Sequence, residues 1–255
     1  MNPLYLLALI QGLTEFFPVS SSGHLVLAKI WLGFRENGIE METWVHMGTL
    51  LSLVAYFWRD LARLTAAAVG RGTPEDRRWI PLILVSTAIT GAVGVFGRKF
   101  FVETFSDLNL TYAGFIVTGI VLLATRWART GRAELRMSDG VWFGIVQAIS
   151  IIPSISRSGA TIACLLFLGV ERGTAFRYSF IASLPAIAGA FLLELREGNF
   201  STLSPQNLGV SFVIAAAAGI ASLYALKRFV DQNKFHWFGY YCLVIGLVGF
   251  AVGRR

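Results

Sequence analysis

Two polar segments interrupt an otherwise apolar chain, and they hold most of the side chains able to do chemistry. Residues 11–24 read QGLTEFFPVSSSGH, and residues 147–160 read QAISIIPSISRSGA. Laid over each other at an offset of 136, they align Gln11 with Gln147, Thr14 with Ser150, Ser20 with Ser156, Ser22 with Ser158 and Gly23 with Gly159. The first copy adds Glu15, Ser21 and His24, and the second adds Arg157. Histidine can attack phosphorus or move a proton for water or serine, and a carboxylate can orient it or act as a base. A guanidinium flanked by Ser156 and Ser158 at a helix start donates hydrogen bonds suited to an anion. Phosphate or diphosphate is the natural guest, and two such helix ends brought together would attract it strongly.

These groups lie in sequence of membrane grade. An ionised side chain near a bilayer centre costs about 2.5–3.5 kcal/mol, so Glu15 and Arg157 are expected to face a cavity and to pair across the two segments. Gln11, Ser20, Ser22, Ser156, Ser158 and Thr161 are candidate substrate contacts, with helix capping and loop solvation as the competing roles of the serines. Glu15 is also a candidate ligand for a divalent cation. Carboxylate, hydroxyl and phosphate oxygens favour Mg²⁺ or Ca²⁺ over zinc. Three histidines, with no HxxH or CxxC spacing, argue against a dedicated zinc site. His46, Glu42 and Trp44 read as residues of the membrane interface, and so does His236 beside Trp237. Cys164 and Cys242 read as small packing residues.

The elements that must position these groups follow from composition. Of 255 residues, 55% are hydrophobic and 15% charged, where a soluble domain carries about a quarter charged. Several apolar runs approach the roughly 20 residues needed to cross a bilayer. The net charge of +7 comes from basic links between apolar runs, which sets membrane orientation and gives no reason to expect a nucleic-acid partner. An all-α polytopic membrane protein of one domain is expected. Residues 3–33 should form a helix–loop–helix broken at Pro18 to Gly23, with His24 one residue into the second helix. Spans near 43–58, 79–97 and 109–127 follow. A second broken segment at 138–169 precedes spans near 174–194, 208–227 and 236–253.

Each half is then one re-entrant hairpin plus three transmembrane helices, the halves covering about 1–137 and 138–255. Because three is odd, the second hairpin must come from the opposite face, which makes an inverted-topology repeat with its site near the midplane. Charge supports the count. Fourteen of the 22 lysines and arginines fall in the links 59–78, 126–138, 169–177 and 227–235. Seven fall on the other side, at Lys29, Arg35, Arg98, Lys99, Arg196, Arg254 and Arg255. Excess positive charge marks the inner face, so both termini are expected outside.

At these residues the chain resembles the undecaprenyl-diphosphate phosphatase family of the BacA (UppP) type. That family carries (E/Q)xxxE running into PVSSxGH, matched by Gln11 to Glu15 and Pro18 to His24, and PGxSRSGxT, matched by Pro153 to Thr161. Two departures stand out: Gln11 takes the place of a first glutamate, and Ser154 replaces the glycine after proline. The resemblance implies hydrolysis of undecaprenyl diphosphate to the monophosphate, which recycles the lipid carrier for cell-wall synthesis. It also implies a divalent-cation requirement, a plasma-membrane site open to the outer side and bacitracin resistance when abundant. It places functional positions on Gln11, Glu15, Ser21, His24 and Arg157.

Two rival readings use the same residues. Inverted repeats with broken helices also build secondary transporters, so a carrier or flippase for a lipid phosphate or other anion is the alternative. The second is the membrane lipid phosphatase class marked by KxxxxxxRP, PSGH and SRxxxxxHxxxD. The chain has only fragments of that pattern, with no first block and no histidine at the required distance after Arg157.

Overall fold

Helices begin where the local chemistry dictates. Pro3 and Pro205 open helices at positions where a missing N–H costs nothing, and Asn2 and Ser204 cap them. Thr73 and Asp76 form a reciprocal capping box in front of Pro74. The computed structural model describes residues 2–33, 39–97, 107–197 and 204–253. Among them the helices are α1 (Pro3–Phe16), α2 (Ser21–Trp31), α3 (Ile39–Tyr56), α4 (Trp58–Ala68), α5 (Pro74–Phe96) and α6 (Leu108–Ala124). They continue with α7 (Met137–Ile149), α8 (Arg157–Phe167), α9 (Arg172–Glu197), α10 (Pro205–Asp231) and α11 (Trp237–Val252). The described residues hold no strand beyond an isolated bridge between Arg132 and Val170.

Every expected span and both broken segments coincide with helices, so the protein is an all-α polytopic membrane protein. Among the described residues, four helical segments are long and apolar enough to cross a bilayer by themselves: Pro74–Phe96, Leu108–Trp127, Arg172–Leu193 and Pro205–Asp231. The other two expected spans fall short. α3 has 18 residues but carries Glu40 and Glu42, and α11 has 16. The link expected at 59–78 contains α4, whose sequence WRDLARLTAAA has the amphipathic pattern of a helix lying along a surface. Arg35, Arg98, Lys99, Arg254 and Arg255 lie outside the described residues.

The links expected on the inner side meet at one end of the bundle. Arg78 pairs with Glu134 at 2.9 Å, Asp60 pairs with both Arg63 and Arg177, and Arg132 bridges to Val170. Asp231 lines a shared surface depression with Thr130 and Glu171. Below these links Arg132 forks onto the buried Asp139 at 2.8 and 3.0 Å, which anchors the start of α7. The start of α1 is tied to the other end, where the Tyr5 hydroxyl donates to Asn207 at 2.9 Å. The two hairpins, α1–α2 and α7–α8, therefore point into the bundle from opposite ends.

Lipid tails are as apolar as leucine, so close backbone approach holds such helices together in place of hydrophobic burial. α1 lies on α10, and a Cβ at Gly12 would sit 2.6 Å from the Ala215 carbonyl oxygen. Two hydroxyls reinforce the contact region: Ser222 donates to Gly12 O at 3.1 Å and Ser52 to Ala216 O at 2.8 Å. Aromatic side chains fill the middle, with Phe16, Phe57, Phe115, Phe143, Phe176 and Tyr178 fully buried. Phe16 packs beside Gly219 of α10, so α1 breaks off near the midpoint of a 27-residue helix.

Candidate functional site

The break after α1 follows from Pro18, which cannot donate a helical hydrogen bond. The chain turns at Ser20, whose φ of 68° is in the left-handed region. Ser20 then caps α2, its Oγ accepting from Gly23 N at 3.2 Å. The helix therefore opens at Ser21, three residues before the expected point, and His24 is its fourth residue. In the second hairpin Ser156 caps α8 in the same way, accepting from Gly159 N at 3.1 Å, and Arg157 is the first helical residue. First-turn N–H groups not taken by the caps point out of each helix end.

The two loops touch. Ser154 N donates to Ser22 Oγ at 3.4 Å, and Ser158 Oγ donates to Phe17 O at 3.4 Å. This contact brings Arg157 to Glu15, with Nη2 donating to Oε1 at 2.5 Å. The other carboxylate oxygen accepts from Ser21 Oγ at 2.6 Å and from Gln11 Nε2 at 2.9 Å. The Glu15 side chain is 9% exposed and that of Arg157 is 26% exposed, so the carboxylate is the more deeply buried partner.

His24 lies three residues beyond Ser21 on α2. Its Nδ1 lies 2.7 Å from Ser20 O. A carbonyl only accepts, so Nδ1 carries the proton and Nε2 keeps its lone pair in the neutral ring. Nε2 is 2.8 Å from the Tyr241 hydroxyl. Among the described residues no hydrogen bond joins His24 to Ser21, whose hydroxyl is given to Glu15.

The structure thus joins Gln11, Glu15, Ser21 and Arg157 in one hydrogen-bonded cluster, with His24 one turn along α2 from Ser21. Ser20, Ser22, Ser156 and Ser158 form the seam between the loops, with Ser20 and Ser22, and Ser156 and Ser158, paired at 3.3 Å through their hydroxyls. Thr161 is fully buried, its hydroxyl 2.7 Å from both Arg157 O and Ser179 Oγ, so it ties α8 to α9. Two contributors went unforeseen. His46, expected at the membrane interface, has Nε2 3.9 Å from Glu15 Oε2 while its Nδ1 bonds Glu42 O. Tyr241 is one of two adjacent tyrosines in the last span. The sequence signal for His46 was a titratable residue inside an apolar run; for Tyr241 there was none. Glu42 is paired with Lys29 of α2, which closes α3 onto the first hairpin.

Oxygen atoms suited to a hard cation exist here. Gln11 Oε1 is buried without a partner next to Glu15, because the amide must turn its NH₂ toward the carboxylate. No group of three or more His, Cys, Asp or Glu that could hold a metal occurs among the described residues. Glu15 is the single negative charge of the cluster and Arg157 offsets it, so any cation must draw its remaining ligands from the substrate.

Ser154 stores strain. Its φ is 64°, which costs a non-glycine residue about 1–2 kcal/mol, and its buried Oγ has no partner. Ser154→Gly relieves both. Even after glycine's greater unfolded-state entropy it should stabilise the protein by about 1 kcal/mol. A higher thermal midpoint in detergent checks this, and an unchanged or lower one refutes it.

Comparison with known proteins accords with this geometry. The family profile described as bacitracin resistance protein BacA matches residues 4–248. A protein of Desulfosudis oleivorans named undecaprenyl-diphosphatase is 39% identical over 277 residues, covering all of both chains. Proteins of the same name from Thermotoga petrophila and Korarchaeum cryptofilum are 36% and 34% identical. The alignments cover 97% and 95% of this chain, and 99% and 95% of theirs. With near-complete coverage and both motifs in place, the chain belongs to the BacA family.

Proposed function

We propose that the chain hydrolyses undecaprenyl diphosphate to undecaprenyl phosphate and inorganic phosphate, returning the lipid carrier to cell-wall polymer synthesis. The observation that carries this reading is the Glu15–Arg157 pair, which ties the start of α8 to the end of α1, with Ser21 at the start of α2 bonded to the same carboxylate. Arg157 and the helix-end N–H groups hold the diphosphate and stabilise charge spreading over the phosphoryl oxygens. Glu15 holds Arg157 and Ser21 in place. His24 acts through Nε2, on phosphorus or on the attacking water. A divalent cation, when bound, neutralises diphosphate charge, and Glu15 and Gln11 Oε1 are the protein atoms that would hold it.

The halves also read as an inverted-topology repeat of about 1–137 and 138–255. Exchange of equivalent helices supports this: α1 packs on α10 as α7 packs on α5, and α3 on α10 as α9 on α5. Hydrogen bonds repeat too. Thr118 of α6 donates to Ser154 O at 3.4 Å, and Cys242 of α11 donates to Pro18 O at 3.7 Å, with the acceptors 136 residues apart. The basic end of the bundle is then the inner face of the plasma membrane. This puts both termini, and the opening of the site, on the outer side.

The test is phosphate release from undecaprenyl diphosphate by purified protein in detergent, with and without chelator. Release that chelator abolishes and Mg²⁺ or Ca²⁺ restores is expected. No release refutes the hydrolase reading and leaves the carrier alternative, which needs two compartments. Full release in chelator refutes the cation.

A further inference from the structure

The imidazole of His24 is fixed on three sides. Ser20 O accepts a hydrogen bond from Nδ1, the ring of Phe115 on α6 meets it edge-on at 5.2 Å, and the Tyr241 hydroxyl of α11 meets Nε2 at 2.8 Å. Since Nδ1 carries the proton, Nε2 accepts and the tyrosine O–H donates. The two rings lie parallel within 3°, at a centroid separation of 5.7 Å. This is the geometry of an in-plane hydrogen bond between rings standing side by side.

The place of Tyr241 is itself determined. α11 lies against α6 with Gly119 and Gly239 in contact: a Cβ on Gly239 would fall 2.7 Å from Gly119 O, and one on Gly119 2.9 Å from Gly239 O. Cys242, the next residue, is fully buried and bonded to Pro18 O of the first loop. One neighbour is therefore locked to the first hairpin and the helix face is locked to α6. Tyr241, about half exposed, can reach His24 without any freedom to slide.

We infer that Tyr241 is a positioning residue for His24, its hydroxyl donating to Nε2 and holding the lone pair in one direction until a water or phosphoryl group replaces it. Without the hydroxyl, the ring keeps its bond to Ser20 O and its contact with Phe115 but loses its third restraint, so the lone pair is presented in one direction for less of the time. The inference rests on the hydrolase reading for its kinetic consequence but not for its geometry. Two measurements therefore test it.

In the phosphate-release assay, Tyr241→Phe keeps the ring and removes the hydroxyl. It should lower kcat about tenfold, the worth of one hydrogen bond, with KM within about twofold and an unchanged melting temperature. Tyr241→Ala should show a similar kcat. An unchanged kcat in Tyr241→Phe, a raised KM alone, or a loss confined to Tyr241→Ala each overturns the inference, the last two assigning Tyr241 to lipid contact or packing. In ¹⁵N-histidine spectra, the His24 signals, identified by their absence in His24→Gln, should report a protonated Nδ1. The Nε2 signal should shift in Tyr241→Phe. The opposite tautomer, or no shift, overturns the inference even if wild-type protein releases no phosphate, an outcome that would sink the hydrolase reading separately.

Discussion

Arg157→Ala is expected to abolish turnover and to weaken the fold, because one side chain serves both. For activity, losing a fork of charged donors aimed at the diphosphate should cost about 1,000-fold in kcat, the upper range for removing one preorganised donor. For stability, Glu15 is left nearly buried with Ser21, Gln11 and the more distant His46 imidazole but without its guanidinium partner. Breaking such a pair from one side costs about 3–5 kcal/mol. A double-mutant cycle separates the two effects. Glu15→Gln removes the stranded charge, so the double variant Glu15→Gln/Arg157→Ala should melt above Arg157→Ala alone, yet stay inactive. Arg157→Lys should keep much of the stability and little of the activity, since an ammonium offers a point charge in place of a planar fork. Additive melting shifts would show that the ion pair does not couple the hairpins. Retained activity in Arg157→Ala would remove Arg157 from the site.

That coupling was legible in the sequence because it rests on charge. Glu15 and Arg157 are ionisable residues in broken apolar segments 142 residues apart, and little besides mutual pairing makes both tolerable at that depth. The helices were equally legible, since apolar runs bounded by Pro, Gly and basic links leave few alternatives. Helix starts were less so. Whether α2 opens at Ser21 or His24 depends on which of three serines turns back to cap, and Ser20 does so only by adopting a positive φ. α4 was missed because an amphipathic stretch between two spans has the composition of a link. Tyr241 and His46 were missed for a different reason. Their roles depend on which face of a packed helix meets the loop, and in a chain whose spans are apolar all round no periodic pattern marks that face.

The position of Ser154 had the reverse history. A glycine is expected there from the family pattern, and φ of 64° shows why: the loop must turn left-handed to present Ser156 and Arg157 as the start of α8. Serine meets the same requirement at a cost, so the second loop keeps its shape with less stability in reserve. The strain sits one hydrogen bond from Ser22, in the seam that aligns the two halves of the site, where stored strain is often found.

His24→Ala should be nearly as damaging to activity as Arg157→Ala while leaving the fold almost intact, and the contrast is the informative result. His24 bonds a loop carbonyl and a half-exposed tyrosine and pairs with no buried charge. Its removal strands no ion, and the melting temperature should move by only a few degrees. Turnover should fall by about 100- to 10,000-fold, the usual contribution of a group that moves a proton or attacks in the rate-limiting step. His24→Gln can still bond Ser20 O but has no basic lone pair, so it should be as inactive as alanine. A rapid-quench search for a phosphoryl group on the wild-type protein, typed by its acid or alkali lability, then identifies the step. A phosphohistidine lost in His24→Ala means Nε2 attacks phosphorus directly. Its absence, with one solvent oxygen entering the released phosphate, means Nε2 takes the proton of the attacking water. A phosphoserine at Ser21 would contradict both, and would instead make Glu15, its hydrogen-bond partner at 2.6 Å, the base of the reaction.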